Sequence, residues 1–171
     1  RGLGDVYKRQ ILAGMRHAYS VAAVRAAEHT LLAQQNHADE LMRLAARGVA
    51  ATATAMLAPG QRVTILAGPG GNGGDGLYAG AFLAEEGYSV AAILAADAAH
   101  EPALQAFTGA GGTITERLGE ADLLIDAVAG LASTRGLSGA PLRAYTEAKE
   151  RGIPVLAVDI PSGINADTGV A

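Results

Sequence analysis

The stretch RVTILAGPGGNGGDG, residues 62–76, decides the fold of this chain. Its first part, Arg62 to Ala67, is a short apolar run of the kind found in buried strands. Its second part is dense in glycine, and a helical pattern follows from Asp75 to Glu86. Glycine at this density indicates backbone that passes very close to another group or that needs positive φ. A strand, a glycine turn and a helix in this order predict the start of a Rossmann-like α/β domain.

The same alternation continues on both sides of this stretch. Downstream, strands and helices are predicted in turn at residues 89–95, 101–110, 122–128, 141–151 and 154–158. Upstream, two helices are predicted at residues 21–34, after the N-cap Ser20, and 40–57, after Asp39. Nearly continuous apolar strands indicate a sheet that is covered on both faces. We therefore predict a Rossmann-like three-layer α/β/α fold with a mostly parallel sheet, preceded by two helices.

Length and composition narrow the class of protein. Half of the 171 residues are hydrophobic but only 4% are aromatic, which predicts one domain with an aliphatic core. We assign residues 15–171 to this domain, and we set residues 1–14 apart as a non-native or disordered segment. The formal net charge of -4, without a run of like charge, gives no footprint for nucleic-acid binding. The absence of cysteine excludes disulfides, thiolate metal sites and cysteine nucleophiles.

Hydropathy gives no sign of a membrane segment. The longest apolar stretches, such as residues 90–96, are far shorter than the ~20 residues needed to cross a bilayer. The first ten residues mix charge with glycine and lack the apolar centre of a signal peptide. We therefore expect no membrane contact, and a cytoplasmic location is compatible with the sequence.

Three unusual loops follow predicted strands. The first is the glycine stretch, the second begins at Asp126, and the third begins at Asp159, with Ser162 three residues on. Because the carboxyl ends of parallel strands share one edge, and ligands bind there, we expect the three loops to meet. A partly buried strand-end Asp needs a cation or hydrogen-bond donors to stay charged, although it can also cap the next helix.

Other chemistries are weaker alternatives. Gly68, Gly70 and Gly73 satisfy the dinucleotide fingerprint G-x-G-x-x-G, and Asp97 follows where a ribose-binding acid would stand, which would suit an NAD(P)-binding oxidoreductase. Against this, Asp75 at a helix start would compete with a pyrophosphate. Ser162 lacks the preceding glycine of a nucleophile elbow, so hydrolase chemistry is rejected. The four histidines lie outside the three loops and form no metal-type pair.

The strings GPGGNGGDG (68–76), DAVAG (126–130) and VDIPSGINADTG (158–169) resemble the signature of the NAD(P)H-hydrate epimerase family, the YjeF N-terminal domain. This resemblance implies a Rossmann-like enzyme that interconverts the R and S forms of hydrated NADH or NADPH, NAD(P)HX, and binds one potassium ion per subunit. It also implies that Asn72, Asp126 and Ser162 are the ion ligands. Amide, carboxylate and hydroxyl oxygens suit such a hard cation.

The resemblance further implies that Asp159 is the catalytic acid. The substrate contacts that it implies are Gly71, Asn72, Gly73, Gly74, Asp75, Gly130, Leu131, Ala132, Ser133, Thr134, Arg135, Gly136 and Asp159. Two departures from the family pattern bear on affinity. Gly71-Asn72 replaces an asparagine pair, and Gly130-Leu131-Ala132 replaces G-T-G, so one hydroxyl is lost near the expected phosphate site.

Partners follow from the same resemblance. NAD(P)HX is the expected substrate, and a homo-oligomer is allowed. The family domain continues beyond residue 171, so we expect this chain to be C-terminally incomplete, with an ADP- or ATP-dependent NAD(P)HX dehydratase domain as an optional neighbour in the intact protein. A non-catalytic interaction module of the same fold is the alternative from a different functional class.

Overall fold

The computed structural model describes residues 19–131, 133 and 135–171. The predicted terminal segment 1–14 and two predicted substrate contacts, Ala132 and Thr134, lie outside the described residues. The described helices are α1 (Val21–Leu32), α2 (Glu40–Met56), α3 (Gly71–Glu85), α4 (Glu101–Gly109) and α5 (Gly139–Glu150). The described strands are β1 (Arg62–Ala67), β2 (Ser89–Leu94), β3 (Thr113–Ile114), β4 (Leu123–Ala127) and β5 (Val155–Ala157).

The five strands form one sheet in the order β3-β2-β1-β4-β5, and every pairing is parallel. In this register Ala67, the last residue of β1, lies beside Leu94 of β2 and Ala127 of β4. Asp126 of β4 lies beside Ala157 of β5. The strands therefore end together, as the predicted Rossmann-like architecture requires, and α1 and α2 precede the sheet as predicted.

Helices cover both faces of the sheet. On one face, Leu77 and Leu83 of α3 pack on the sheet in a large core that also includes Phe107 of α4. Helix α2 joins this core through small residues, among them Ala46 and Ala50. On the other face, α5 packs through Ala144 and Ala148. Helix α1 contributes no buried residue, although Ser20 caps it as predicted by accepting a hydrogen bond from the Ala23 N–H.

The largest difference from the sequence prediction is the start of α3. The helix begins at Gly71, not at Asp75, so most of the glycine stretch is helical. Residues 68–76 contain no positive φ, which rules out that explanation for their glycines. Close packing explains them instead. A Cβ at Gly68 would collide with the Val128 carbonyl oxygen, and a Cβ at Gly76 would lie 3.2 Å from Ile65 Cγ2.

Two smaller features complete the fold. Strand β3 was not predicted, because its two residues have no pattern of their own and are defined by pairing with Ala91 and Ala92 of β2. Asp39 precedes α2 as predicted but has φ of 60° and makes no side-chain cap hydrogen bond. None of the helices in the described part of the chain is long and apolar enough to cross a membrane.

Candidate active site at the strand ends

A cleft of about 630 Å³ opens at the carboxyl ends of the strands, and we call it the strand-end cleft. It is lined by residues 25, 28, 69–72, 75, 95, 96, 128–131, 133, 135, 136, 138 and 159. The glycine stretch, the loop after β4 and the loop after β5 all contribute to it, so the predicted meeting of three loops at one edge is confirmed.

Most of the predicted substrate contacts line this cleft. From the glycine stretch these are Gly71, Asn72 and Asp75, and from the later loops they are Gly130, Leu131, Ser133, Arg135, Gly136 and Asp159. Gly73 and Gly74 are buried in the first turns of α3 and do not line it. A Cβ at Gly74 would lie 2.6 Å from Met42 Sδ, and one at Gly73 would collide with the Gly68 carbonyl oxygen. These two glycines therefore serve the packing that brings their neighbours to the cleft.

Asp159 occupies a strained turn directly after β5. Its φ is 62°, and the Ile160 N–H donates to the Val158 carbonyl oxygen at 2.8 Å, which closes a three-residue turn around it. Non-glycine residues adopt such a φ at a cost and often at functional sites. Burial raises the pKa of the Asp159 carboxyl group, and a hydrogen bond from the Leu131 backbone lowers it in part. The turn thus holds the carboxyl group of an exposed residue at the cleft.

Asp75 is a second perturbed carboxyl group in the same cleft. It lies in the second turn of α3. Burial, together with the negative charges of Asp159 and Glu28, raises its pKa from 3.8 to about 7. Near neutral pH this group holds a proton for part of the time, whereas an ordinary carboxyl group would be fully ionised.

The raised pKa of Asp75 makes stability depend on pH. Folded protein keeps the Asp75 proton between about pH 4 and pH 7, where the unfolded chain has released it, so stability falls as pH rises through this range. We expect Asp75→Asn to remove this loss. After allowance for solvent screening, the free energy of unfolding of the variant, relative to that of wild type, should rise by about 1–2 kcal/mol from pH 5 to pH 8.

Thermal melts at the two pH values measure this effect. Asp97→Asn is the matched control, because Asp97 also follows a strand but does not line the strand-end cleft. The control should retain the wild-type decrease in melting temperature. A parallel decrease in Asp75→Asn and wild type would contradict the assignment.

Asp126 and Ser162 form one hydrogen-bonded unit, which lines a separate cavity and not the strand-end cleft. The Ser162 hydroxyl donates to Asp126 Oδ1 at 2.7 Å, and the Ser162 N–H donates to Oδ2 at 2.9 Å. The Val128 N–H donates to Oδ1 at 3.3 Å, and the Ala129 N–H donates to the Ser162 hydroxyl at 3.1 Å. Asp126 is only 2% exposed, so these donors satisfy carboxyl oxygens that solvent does not reach. They also join the loop after β4 to the loop after β5.

Asn72, the third predicted ion ligand, lies in the cleft. Both polar atoms of its amide group are buried, and neither has a hydrogen-bond partner among the residues that the structure describes. A Cβ added at Gly130 would lie 3.3 Å from Asn72 Cβ and 2.8 Å from Asp159 Oδ2, so these side chains meet at Gly130. Since buried amides are normally satisfied, the orphaned Asn72 oxygen fits a ligand that the protein itself does not supply. A hard cation is compatible with this donor set.

The sequence comparison identifies the family. Residues 38–171 match the profile of the family described as YjeF-related protein N-terminus. The chain belongs to this family. Its Rossmann-like fold also resembles the crystal structure of yeast ynu0, with a TM-score of 0.76 at 21% identity, over 91% of this chain and 75% of that one.

Curated relatives of this YjeF-family chain carry two names. A protein of Corynebacterium glutamicum named bifunctional NAD(P)H-hydrate repair enzyme Nnr is 42% identical over 91% of this chain and 29% of its own length. A protein of Achromobacter xylosoxidans named NAD(P)H-hydrate epimerase is 39% identical over 92% of this chain and 78% of its own length. The chain spans only 29% to 34% of the first bifunctional relatives that it matches.

Two charged residues of the cleft could not be predicted from the sequence of this YjeF-family chain. Arg25 and Glu28 of α1 reach the cleft from outside the three loops. They are three residues apart and therefore lie on one face of the helix. This shared face was the only feature of the sequence that could have indicated them. Asp97, by contrast, lines a separate cavity with residues of β2 and β3. Asp97, the acid that the dinucleotide fingerprint would require, is therefore not among the described residues that line the cleft.

Proposed function

We propose that this domain catalyses the epimerisation of hydrated NADH and NADPH between the R and S forms. The observation that carries the proposal is the pair of carboxyl groups of Asp75 and Asp159, which line the same cleft and both have a raised pKa. Family membership and the epimerase and repair-enzyme names of the relatives support the choice of substrate. A cleft of about 630 Å³ is within the usual range for sites that bind small ligands.

The chemistry needs both a proton and a negative charge. Epimerisation can proceed when a carboxylic acid donates its proton to the hydroxyl group, which leaves as water and makes the ring cationic. Water then adds to the opposite face of the ring, and its proton returns to the carboxylate, so no atom or electron is gained or lost. A fixed carboxylate stabilises the positive charge that develops in between. Burial raises the pKa of Asp75 and of Asp159, and the charge of Asp159 also raises that of Asp75, so one group can hold the proton while the other carries the charge.

An epimerisation assay tests the proposal directly. The chain is incubated with one purified epimer of hydrated NADH, and formation of the other epimer is followed by chromatography and corrected for the spontaneous rate. We expect catalysed conversion without any change in the redox state of the ring. Net oxidation or reduction would instead support the oxidoreductase alternative. Tight nucleotide binding without conversion would support the interaction module.

A potassium ion bound by Asn72, Asp126 and Ser162 forms the second part of the proposal. The orphaned Asn72 amide oxygen supports it, since a cation would satisfy that atom. Asp126 and Ser162 would supply a carboxylate and a hydroxyl oxygen from the other two loops. Bound there, the ion would add positive charge beside the cleft and hold the loops together, while proton transfer stays with the protein's carboxyl groups.

We expect Asn72→Ala to abolish stabilisation by potassium without unfolding the protein. Removal of a buried, unpartnered amide loses no hydrogen bond, so the variant in choline buffer should be as stable as wild type within about 1 kcal/mol. At ten times the dissociation constant, potassium should stabilise wild type by about 1.4 kcal/mol. Thermal melts across a potassium series, matched in ionic strength, measure the difference. An equal potassium response in both proteins would remove Asn72 from the ion site.

We extend the proposal to the intact protein. The bifunctional relatives carry further sequence beyond the matched region, so we propose that the epimerase domain acts beside a second repair activity in proteins of that type. A dehydratase neighbour, a homo-oligomeric state and a cytoplasmic location are all predictions for this chain.

A further inference from the structure

Two guanidinium groups reach the strand-end cleft from different parts of the chain. Arg135 belongs to the loop after β4, and Arg25 belongs to α1. Three carboxyl groups, from Glu28, Asp75 and Asp159, line the same cleft. Within residues 19–131, 133 and 135–171, however, neither guanidinium group makes an ion pair or a hydrogen bond. Both are therefore available to an anionic ligand.

Arginines elsewhere in the described part of the chain show the contrast. On α2, the guanidinium groups of Arg43 and Arg47 lie 4.8 Å and 4.5 Å from the ring centroids of Tyr78 and Phe82. At the start of β1, Arg62 lies 3.5 Å from the Asp122 carboxylate. These side chains stabilise the fold through cation–π and ionic contacts. Arg25 has no such structural role, since α1 contributes no buried residue.

We propose that Arg25 is a specificity-determining residue that, together with Arg135, binds a phosphate group of the nucleotide substrate. This inference rests on the proposed epimerase function, because NAD(P)HX carries a diphosphate and, in its NADPH form, a 2′-phosphate. A guanidinium fork matches phosphate oxygens in geometry as well as charge. The described lining of the cleft contains no other cationic side chain, whereas its three carboxyl groups would repel a phosphate. The two arginines, from α1 and from the loop after β4, offset that repulsion.

The position of α1 supports the assignment. Arg25 and Glu28 are three residues apart and thus share one helix face. Glu28 is near enough to Asp75 for its charge to act on that carboxyl group. The Val21 N–H donates to Asp167 Oδ1 at 3.0 Å, which fastens the start of α1 to the loop that follows Asp159. The helix is therefore placed as a wall of the cleft, with Arg25 on the inner face.

The test compares Arg25→Gln, Arg25→Lys and the control Arg143→Gln. Arg143 is an exposed arginine of α5 that does not line the cleft. Two readouts are used: calorimetric binding of ADP-ribose and of ADP-ribose 2′-phosphate, and the KM and kcat for hydrated NADH and NADPH. We expect Arg25→Gln to weaken binding and to raise KM by about 10- to 100-fold, with kcat changed less than about threefold. Arg25→Lys should recover part of the loss, and the control should match wild type.

Each outcome decides the proposal. Equal weakening with both ligands assigns Arg25 to the diphosphate, and weakening only with the 2′-phosphate ligand assigns it to that group. Unchanged binding and KM in Arg25→Gln would overturn the proposal while epimerase activity stands. If wild type shows no epimerisation, the proposed function fails, but weaker ADP-ribose binding by Arg25→Gln would still support the phosphate site. If wild type binds neither ligand, the phosphate site is rejected.

Discussion

Asp159→Asn should lower kcat for epimerisation by about 10²–10⁴-fold, the usual contribution of a general acid or base. Asparagine keeps the shape and the hydrogen bonding of the side chain but cannot take up or release the proton. It also tolerates the positive φ of 62° at this position, as aspartate does, so the turn after β5 should persist. Alanine would be a poorer choice, because it would add backbone strain to the loss of the carboxyl group.

Binding and stability should change much less than turnover. Burial disfavours the charged form of Asp159, so its neutral replacement should leave the melting temperature unchanged or slightly raised. Conversion is followed by chromatography from the slower-reacting epimer, with the spontaneous rate subtracted. Asp97→Asn again provides the matched control, since Asp97 lies outside the cleft. Near-normal turnover by Asp159→Asn would exclude Asp159 from proton transfer.

Of the substitutions proposed for this chain, Gly73→Ala should lower the free energy of unfolding most, by more than about 3 kcal/mol. The added Cβ would occupy the position of the Gly68 carbonyl oxygen. The Gly68 backbone cannot move aside easily. Its N–H donates to the Ala127 carbonyl oxygen at 3.0 Å, and a Cβ on Gly68 itself would already collide with Val128. The strain would therefore separate the start of α3 from the ends of β1 and β4.

Gly71→Ala is the control for this prediction. It lies in the same helix, two residues earlier, and its added Cβ would meet only Met42 Cε at 3.9 Å, an ordinary van der Waals contact. Alanine favours helix over glycine by about 1 kcal/mol, so this variant should be as stable as wild type or more stable. Urea unfolding of both variants measures the difference. Similar stabilities would show that α3 can shift away from β1 at little cost.

The sheet could be predicted from the sequence because strand signals are local. The apolar run of β1 was predicted at residues 62–67, where the structure has Arg62–Ala67, and β2 was predicted at 89–95, where it has Ser89–Leu94. The start of α3 could not be predicted. Glycine is a poor helix former, and the helix at Gly71 depends on close packing against Gly68 and Ala127, which is tertiary information.

Part of the candidate site could also be predicted from the sequence, and part could not. Asp126 lies in the last two residues of β4 and Asp159 follows β5, so parallel topology alone was enough to bring their loops to one edge. The direct contact between Asp126 and Ser162, at 2.7 Å, adds a pairing that strand order does not specify. Arg25 could not be predicted, since α1 shows helical periodicity but nothing in it indicates which face meets the cleft. The proposed substrate and the proposed ion came from the family resemblance, because no local pattern in the sequence indicates either.

The glycine content of α3 also has a consequence for the order of folding. Five glycines within Gly71–Glu85 cost the isolated helix about 4–5 kcal/mol relative to alanine, and helix nucleation is unfavourable even without them. The segment cannot form early by itself. It becomes helical once β1 and β4 are paired and present a surface close enough for its glycines to pack against. Asn72 and Asp75 therefore reach their positions late, so the domain has no cleft until the central strands have assembled.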